Sequence, residues 1–369
     1  MKTAVLYHSQ LEKYSFGEGH PFGGERFRNF FNFFESRFFP FKSQLKLINP
    51  NPASDQNLRL VHSQDYISAI QAASAGTVLA DITKYVSPDN LNPLTGYMPL
   101  GIEEGAKIIT GISLCSGELV AENKFDRAIG IGGGMHHAKP EFGEGFCFYN
   151  DIAVCARNLK QKYKLRRILV LDTDAHAGNG TMEIFYDDPE VLFIDIHQDP
   201  RTIYPGTGFI SEIGSNKGEG FTINLPVWPG TGNQAYRFIF EEIIFPLARE
   251  FAPQAIIRYG GSDPHYLDTL TNLGLTLEGF RMIGRQVHDI ANELTVGRSI
   301  DLLLSGYNLM VLPFAWAALI AGLLDLDVDL NGLKEAHPPS GDNRLSETKD
   351  MTRQLRSYLK KHWKCMSGG

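Results

Sequence analysis

Short runs of apolar and β-branched residues recur along the chain, and each run ends in glycine or in acidic and polar residues. Runs of this length and composition are typical of buried strands in a parallel sheet. They predict strands at residues 127–132, 168–172, 191–196, 255–260 and 301–304.

Longer stretches in which apolar residues have helical spacing alternate with these runs. They predict helices at residues 103–119, 150–163, 233–251 and 277–294. Alternating strands and helices indicate an α/β fold with an open parallel sheet, whose active site is expected at the carboxyl ends of the strands. No internal repeat and no linker rich in proline, glycine or serine divides the sequence, so we predict one domain over residues 1–369.

Two other apolar segments have alternative interpretations. Helical spacing relates five phenylalanines, Phe27, Phe30, Phe31, Phe34 and Phe38, which favours a helix buried on the sheet over an aromatic surface for a partner. Residues 302–324 carry no charge and are long enough to span a membrane. However, Gly306 and Pro313 interrupt this segment and favour a strand, a turn and a core helix, so we predict no membrane span.

The overall charge limits the range of partners. The chain has 42 acidic and 35 basic side chains and a formal net charge of −7, which gives no positive field to attract nucleic acid or an anionic membrane. Its four cysteines lack the spacing of a zinc knuckle or of a disulfide framework, which indicates a reducing compartment. The apolar stretch near the N-terminus is too short for a secretory signal, so we expect a cytoplasmic protein.

The richest chemistry follows the predicted strand at residues 168–172. Asp172, Asp174 and His176 occupy every second position before a glycine-rich turn. Because side chains alternate along an extended strand, these three are expected to project to one side. Such a cluster at a buried strand end is costly without a cation, which predicts a metal site. The simpler alternative is an aspartate that caps the following helix and a histidine that packs in the core.

Three further clusters also follow predicted strands. The adjacent His136 and His137 come after three glycines, Asp263 lies in the segment GGSDPHYLD, and Tyr307 follows a glycine. Histidine can accept and donate protons near neutral pH, and a tyrosine hydroxyl can donate to an oxyanion. Together the four clusters supply what a metal-dependent hydrolase needs, since catalytic zinc has three protein ligands and an open position.

On these motifs the sequence resembles the zinc-dependent histone deacetylase superfamily, which includes acetoin-utilisation proteins and acetylpolyamine amidohydrolases. The resemblance extends from the segment around His20 to the turn at Tyr307, and it includes GGGMHHA, GFCFYND, DTDAHAGNG, YPGTG and GGSDPHYLD. The last motif is most similar to the acetoin-utilisation branch. The resemblance implies an arginase/deacetylase-type fold with a parallel sheet of about eight strands flanked by helices. It also implies removal of an acetyl or other short acyl group from an acylated amine.

The resemblance implies roles for individual residues. Asp174, His176 and Asp263 are expected to hold the zinc ion. Asp172 is expected to hold the ring of His136. Because two of the three ligands are carboxylates, Fe²⁺ is an alternative to zinc.

The proton-transfer residue implied by the resemblance is His137, and Tyr307 is expected to donate a hydrogen bond to the amide carbonyl. Gly145, through its backbone carbonyl, Phe146 and Tyr204 are expected to border a narrow tunnel for the acylated amine. A structural K⁺ ion is also implied near residues 172–176, with Asp195 at the position of one of its ligands.

Two positions depart from the family pattern. Asn179 stands where many deacetylases have an aspartate paired to the second histidine, and Ala177 stands where many have another histidine. The first change lowers the negative field at His137, and the second leaves an arginase-like two-manganese site short of ligands. Residues 89–98 offer no clear counterpart of the acidic loop residue that orients the substrate backbone in some relatives.

The sequence therefore leaves several alternatives open. The substrate is either an acetyl-lysine side chain of a protein or a small acetylated amine. A catalytically silent acyl-group binding protein and an arginase-like ureohydrolase are the other two functions considered. Nothing in the sequence predicts the oligomeric state.

Overall fold

The protein is described by a computed structural model that covers residues 2–79, 81–335 and 344–367. Its centre is an eight-stranded sheet in which every paired strand runs parallel. The strands are β1 (Thr3–Leu6), β2 (Leu45–Ile48), β3 (Arg127–Ile131), β4 (Ile168–Asp172), β5 (Val191–Gln198), β6 (Thr222–Val227), β7 (Ala255–Gly260) and β8 (Ser299–Leu303). Their order across the sheet is β2-β1-β3-β8-β7-β4-β5-β6.

Helices pack against this sheet and against one another. They are α1 (Glu25–Phe38), α2 (Asp55–Leu58), α3 (Gln64–Ser74), α4 (Ile102–Ala121), α5 (Asp151–Tyr163), α6 (Asn179–Phe185), α7 (Asn233–Ile239), α8 (Phe245–Phe251), α9 (Leu277–Leu294), α10 (Leu312–Leu324) and α11 (Leu345–Leu359). Helix α4 lies against β1, β3 and β8 and packs on α5, whereas α9 and α10 form a second tightly packed pair. The central strands are buried along their whole length, as expected for a parallel sheet covered on both faces.

The structure confirms the predicted α/β architecture. Each of the five predicted strands is present, with ends that shift by at most two residues. The predicted helix at 233–251 is continuous but contains a π-helical turn at Phe240–Ile244 between α7 and α8. The sequence pattern missed β1, β2 and β6. The first two have only four residues each, and β6 is an edge strand that contains Pro226.

The phenylalanine-rich segment forms helix α1, as predicted, but its neighbour differs in part from the prediction. Phe27, Phe30, Phe34 and Phe38 are buried. Phe30 meets the indole of Trp316 on α10 edge to face, with ring centroids 4.9 Å apart. Helix α1 therefore packs on another helix rather than on the sheet alone.

Residues 302–324 form the end of β8, a turn and helix α10, as predicted from the residues that interrupt this apolar segment. Pro313 lies in the first turn of α10, where its missing N–H group costs no hydrogen bond. Among the described residues, no helix combines the length and the apolar character needed to cross a bilayer.

The sheet order determines where the chemistry lies. Strands β3, β8, β7 and β4 are consecutive neighbours at the centre of the sheet. Each is followed directly by one of the four sequence clusters that carry ionisable side chains. Because all four strands are parallel, their carboxyl ends bring these loops together at one edge.

Candidate metal centre

Three side chains from two loops converge beyond the carboxyl ends of β4 and β7. Nδ1 of His176 lies 3.1 Å from Oδ1 of Asp174 and 3.1 Å from Oδ2 of Asp263. The three ligand atoms lie within 4.8 Å of one another, and all three residues are buried. They are the three residues that the resemblance assigned to zinc.

Two backbone N–H groups of the loop after β4 donate hydrogen bonds to aspartate side chains of the same segment. The N–H group of Asp174 donates to Oδ1 of Asp172 at 2.9 Å, and the N–H group of His176 donates to Oδ1 of Asp174 at 2.9 Å. The strand ends at Asp172, so the strict alternation assumed from the sequence does not continue through His176. Consequently Asp174 and His176 join Asp263, whereas Asp172 contacts His136 instead.

The electrostatics of this cluster favour a cation. Burial raises the pKa of Asp263 to about 8, and the neighbouring Asp174 carboxylate adds to the effect. Burial alone would lower the pKa of His176, but its hydrogen bonds with Asp174 and Asp263 raise that pKa to about 10. A proton is thus retained between two carboxylates, at a place where a divalent cation would neutralise both.

The donor set also fits a divalent metal by its chemistry and spacing. Tetrahedral coordination with bonds of about 2.1 Å requires neighbouring ligand atoms to lie about 3.4 Å apart. The two separations of 3.1 Å between Nδ1 of His176 and the carboxylate oxygens are close to this value. One imidazole and two carboxylates suit zinc, and they also accept Fe²⁺.

Neighbouring hydroxyl groups hold the candidate ligand Asp263 in place. Ser305 Oγ donates to Oδ1 of Asp263 at 2.8 Å, which leaves Oδ2 for the metal. The hydroxyl of Thr271 donates to the backbone carbonyl of the same aspartate. Ser305 is in turn fixed by Trp316, whose indole N–H donates to its backbone carbonyl at 3.1 Å. Such outer contacts orient metal ligands and sustain their affinity.

The two adjacent histidines have different partners. Nδ1 of His136 lies 2.8 Å from Oδ2 of Asp172, and Nδ1 of His137 lies 2.7 Å from Oδ1 of Asn179. Burial would lower the pKa of His136, but Asp172 and Asp174 raise it to about 9. Burial, together with the charges of His136 and His176, lowers the pKa of His137 well below its usual value. The site thus places a protonated His136 ring beside a neutral His137 ring.

The loop that carries both histidines is fixed by Asp151, the first residue of α5. Its carboxylate accepts from the N–H groups of Gly134 and Met135, and Ser113 Oγ also donates to it. Asp151 is the last residue of the GFCFYND motif, and the sequence alone assigns it no role. An aspartate in the first turn of a helix is usually part of its cap, so its contact with a distant loop could not be recognised.

Tyr307 enters the site from the loop after β8. Its backbone N–H donates to Oδ2 of Asp268 at 2.8 Å, and its carbonyl accepts from the hydroxyl of Thr269. Its ring stands nearly perpendicular to that of His176, with centroids 6.3 Å apart. Tyr307 lines the same cavity as both histidines and two of the candidate ligands. The cavity is lined by Phe22, Gly134, His136, His137, Gly145, Phe146, Cys147, Asp174, His176, Leu304, Ser305 and Tyr307.

Of the predicted tunnel residues, Gly145 and Phe146 line this cavity, and Tyr204 lies beside His137. Phe146 approaches Tyr307 edge to face at 5.9 Å between centroids, and Tyr204 approaches His137 in the same way at 5.1 Å. Tyr204 is 41% exposed, which places it at the entrance. The carbonyl of Gly145, which was expected to face the substrate, accepts a weak hydrogen bond from Cys147 Sγ at 3.2 Å.

Comparison with known proteins shows the family to which the chain belongs. A family model described as the histone deacetylase domain matches residues 20–323. The chain belongs to the histone deacetylase family. It is 32% identical to a probable deacetylase of Archaeoglobus fulgidus, with 99% of each protein covered. It is 34% identical to the acetoin utilization protein AcuC of Staphylococcus xylosus, over 87% of this chain and 82% of that protein.

A solved structure extends the likeness to the fold. The HD domain of HDA15 superposes with a TM-score of 0.84 at 25% sequence identity, over 100% of this chain and 98% of that one. The family and its fold predicted from the motifs are therefore confirmed, and the protein is a metal-dependent deacetylase.

One acidic residue of this deacetylase was missed by sequence reasoning. Oδ2 of Asp89 accepts from the backbone N–H of Gly145 at 2.8 Å, so an aspartate of the 89–98 segment does lie beside a predicted tunnel residue. The carbonyl of Asp89 also contacts Nε2 of His20 at 3.1 Å. The segment lacks a family motif around Asp89, and only the fold brings it against Gly145.

Two residues near the candidate metal site of this deacetylase, Asn179 and Ala177, depart from the family pattern. Asn179 occupies the position that the resemblance paired with the second histidine. Ala177 is buried and brings no ligand to the metal cluster. The carboxylate of Asp195 accepts from the N–H of Gly178 and lies 2.8 Å from Nδ1 of His197. The K⁺ site expected there stays a prediction.

Proposed function

We propose that residues 1–369 form one catalytic domain that hydrolyses the amide bond of an acylated amine with a single zinc ion. The proposal rests above all on one observation. Two members of the buried Asp174–His176–Asp263 cluster, Asp174 and His176, line the same cavity as a neutral histidine, a protonated histidine and a tyrosine. Asp174, His176 and Asp263 would hold the ion.

When bound, the ion supplies Lewis-acid polarisation of the amide carbonyl and lowers the pKa of a coordinated water. The remaining steps belong to the protein. His137 is the general base: its neutral ring takes a proton as the water oxygen bonds to the carbonyl carbon. The same proton then passes from His137 to the amine nitrogen as the C–N bond breaks, which releases a carboxylic acid and a free amine.

Charge that develops on the carbonyl oxygen needs donors that are already in place. We assign this role to the hydroxyl of Tyr307, whose loop is anchored by Asp268. His136, kept protonated by Asp172, supplies a fixed positive charge close to the reacting groups. Asn179 acts on the reaction through His137 and is therefore a positioning residue.

The entrance restricts what can reach these groups. Gly145, Phe146 and Tyr204 border it, so an extended chain with the acyl amide at its end fits better than a branched one. An acetyl-lysine side chain and an acetylated linear amine both have this shape. We place the reaction in the cytoplasm, consistent with four unpaired cysteines.

The test is turnover of a substrate panel at equal concentration by the purified protein. The panel contains acetyl-lysine peptides, acetylated linear polyamines, longer acyl-lysines and arginine. Release of acetate from at least one acetylated amine is expected, with Zn²⁺ or Fe²⁺ supplied separately to identify the better metal. Failure on every acylated amine under both metals would favour a silent acyl-group binder, and urea release from arginine would favour a ureohydrolase.

A further inference from the structure

Glu144 lies behind the tunnel wall, one residue before Gly145. Its Oε1 accepts a hydrogen bond from Nδ2 of Asn179 at 2.8 Å. The same atom lies 3.0 Å from Nζ of Lys139. The side chain of Glu144 is only 15% exposed, so these contacts are shielded from bulk water.

The first contact determines which way the Asn179 amide faces. An asparagine side chain can exchange its oxygen and nitrogen by a half-turn, and its two ends differ in hydrogen-bonding character. A carboxylate only accepts, so the amide NH₂ must face Glu144. The amide oxygen then faces Nδ1 of His137 at 2.7 Å. In the reversed orientation, two oxygens would oppose each other at Glu144.

The orientation of Asn179 in turn selects the tautomer of His137. With an acceptor facing Nδ1, the neutral ring carries its hydrogen on Nδ1 and leaves a lone pair on Nε2. With the amide reversed, an NH₂ group would face Nδ1 and the hydrogen would move to Nε2. A ring in that second form cannot accept a proton through Nε2.

The contact with Glu144 compensates for the presence of asparagine, rather than the aspartate of many deacetylases, at position 179. An aspartate there would present an oxygen to His137 in either orientation and would need no further support. An asparagine needs a neighbour that distinguishes its two ends. Among the described residues, the hydrogen-bond partner found for Nδ2 of Asn179 is Glu144.

We propose that Glu144 is a positioning residue that locks the Asn179 amide and thereby keeps His137 in the tautomer that can act as a base. The inference rests on the proposed function only for the consequence in turnover. The tautomer itself is a property of the protein without substrate.

The first experiment measures this tautomer by ¹⁵N NMR of histidine-labelled, Zn²⁺-loaded protein at neutral pH, with the His137 signals assigned from a His137→Gln spectrum. Wild type is expected to show hydrogen on Nδ1 and none on Nε2. Glu144→Gln can either accept from or donate to Asn179, so the variant is expected to show a mixture of tautomers. A wild-type ring protonated on Nε2, or an unchanged tautomer in Glu144→Gln, would overturn the proposal.

Lys139→Met is the matched control, because it removes the ion pair of Glu144 and leaves the contact with Asn179 intact. It is expected to keep the wild-type tautomer and turnover. If Lys139→Met reproduces the effects of Glu144→Gln, the role of Glu144 is a structural ion pair and the proposal is wrong.

The second experiment is a double-mutant cycle with Asn179→Asp, followed by kcat and KM for the best substrate. Glu144→Gln is expected to lower kcat roughly tenfold to a hundredfold, as for other outer-sphere partners. Asn179→Asp alone places two carboxylates together and should also be impaired. In the double variant the introduced glutamine can donate to the introduced aspartate, so its kcat should exceed that of either single variant. If the fold losses in kcat of the two single variants simply multiply in the double variant, the proposed role of Glu144 is contradicted.

The two experiments separate the inference from the proposed function. Absence of turnover by wild type would count against the function, while the NMR spectra would still decide the tautomer. Full wild-type turnover combined with an unaffected Glu144→Gln would reject the inference and leave the function standing.

Discussion

A Cβ atom at Gly145 would lie 2.2 Å from Cδ2 of His137 and 2.5 Å from its Cγ. No real pair of carbon atoms approaches so closely without bonding. The ring cannot easily withdraw, because its Nδ1 is held 2.7 Å from Asn179. The tunnel wall and the proposed base are therefore in direct contact, and only glycine permits that contact.

Gly145→Ala is accordingly expected to displace His137 and to lower kcat/KM by about a hundredfold, as a misplacement of about 1 Å can do. Gly96→Ala is the matched control. Both glycines have positive φ, 58° and 70°, but a Cβ at Gly96 meets no described atom within 4 Å. Steady-state kinetics and zinc content check the pair. Equal losses in the two variants would show that backbone strain, not contact with His137, is responsible.

Ser305→Ala should weaken the metal site without removing a ligand. Its hydroxyl orients Asp263, and loss of such a contact typically costs about tenfold to a hundredfold in metal affinity. Competition with a chromophoric chelator measures that affinity, and excess zinc should restore most of the turnover. Ser299→Ala is the control, because the buried hydroxyl of Ser299 has no hydrogen-bond partner among the described residues. An unchanged affinity in Ser305→Ala would contradict the assigned contact.

Tyr307→Phe should retain the metal and lose roughly 10²- to 10³-fold in kcat, the usual effect of removing one oxyanion donor. Tyr236→Phe removes another buried hydroxyl, one for which the described part of the chain offers no hydrogen-bond partner. That control is expected to keep wild-type kcat. Turnover that survives intact in Tyr307→Phe would remove this residue from the mechanism.

The stability of the fold should fall in acid partly because of His62. Its Nε2 accepts from the N–H of Asn150 and its Nδ1 contacts the carbonyl of Pro140. Burial lowers the pKa of His62 to about 4. Between its unfolded pKa of about 6.5 and that value the unfolded chain binds more protons, so stability decreases as pH falls.

The expected contribution of His62 at pH 4.5, relative to pH 7, is a loss of about 2 to 3 kcal/mol. Urea unfolding at the two pH values measures the total loss, to which buried acids also contribute. His62→Gln keeps a donor and an acceptor without a titratable proton, so its loss should be smaller than that of wild type. The same loss in both proteins would show that His62 does not titrate as described.

Much of the fold could be predicted because its central strands are uniformly apolar and its helices have regular spacing. The strand at 168–172 and the helix at 277–294 were predicted with the ends that the structure shows. The strands β1 and β2 were missed, because four residues carry little pattern. Strand β6 was missed because it contains Pro226. Proline is tolerated in an edge strand but argues against a central one.

The predicted site residues come together in the structure, but their surroundings could not be predicted from the sequence. Three hydrogen-bonding residues around the site, Asp151, Ser305 and Glu144, contact partners that are distant along the chain and lie at no recognised spacing from them. The alternation of Asp172, Asp174 and His176 suggested one ligand too many, because it assumed that the strand continues. Such contacts form between loops that the fold brings together, and the local sequence pattern does not predict which loops become neighbours.

Zinc reconstitution tests whether one metal ion held by Asp174, His176 and Asp263 enables amide hydrolysis. The protein is stripped with a chelator, dialysed and titrated with Zn²⁺ while acetate release from the best acetylated amine is followed. No turnover is expected without metal, and turnover should rise linearly with added Zn²⁺ until one equivalent per chain is bound. Turnover that persists in the stripped protein, or a rise that continues to two equivalents, would contradict this expectation.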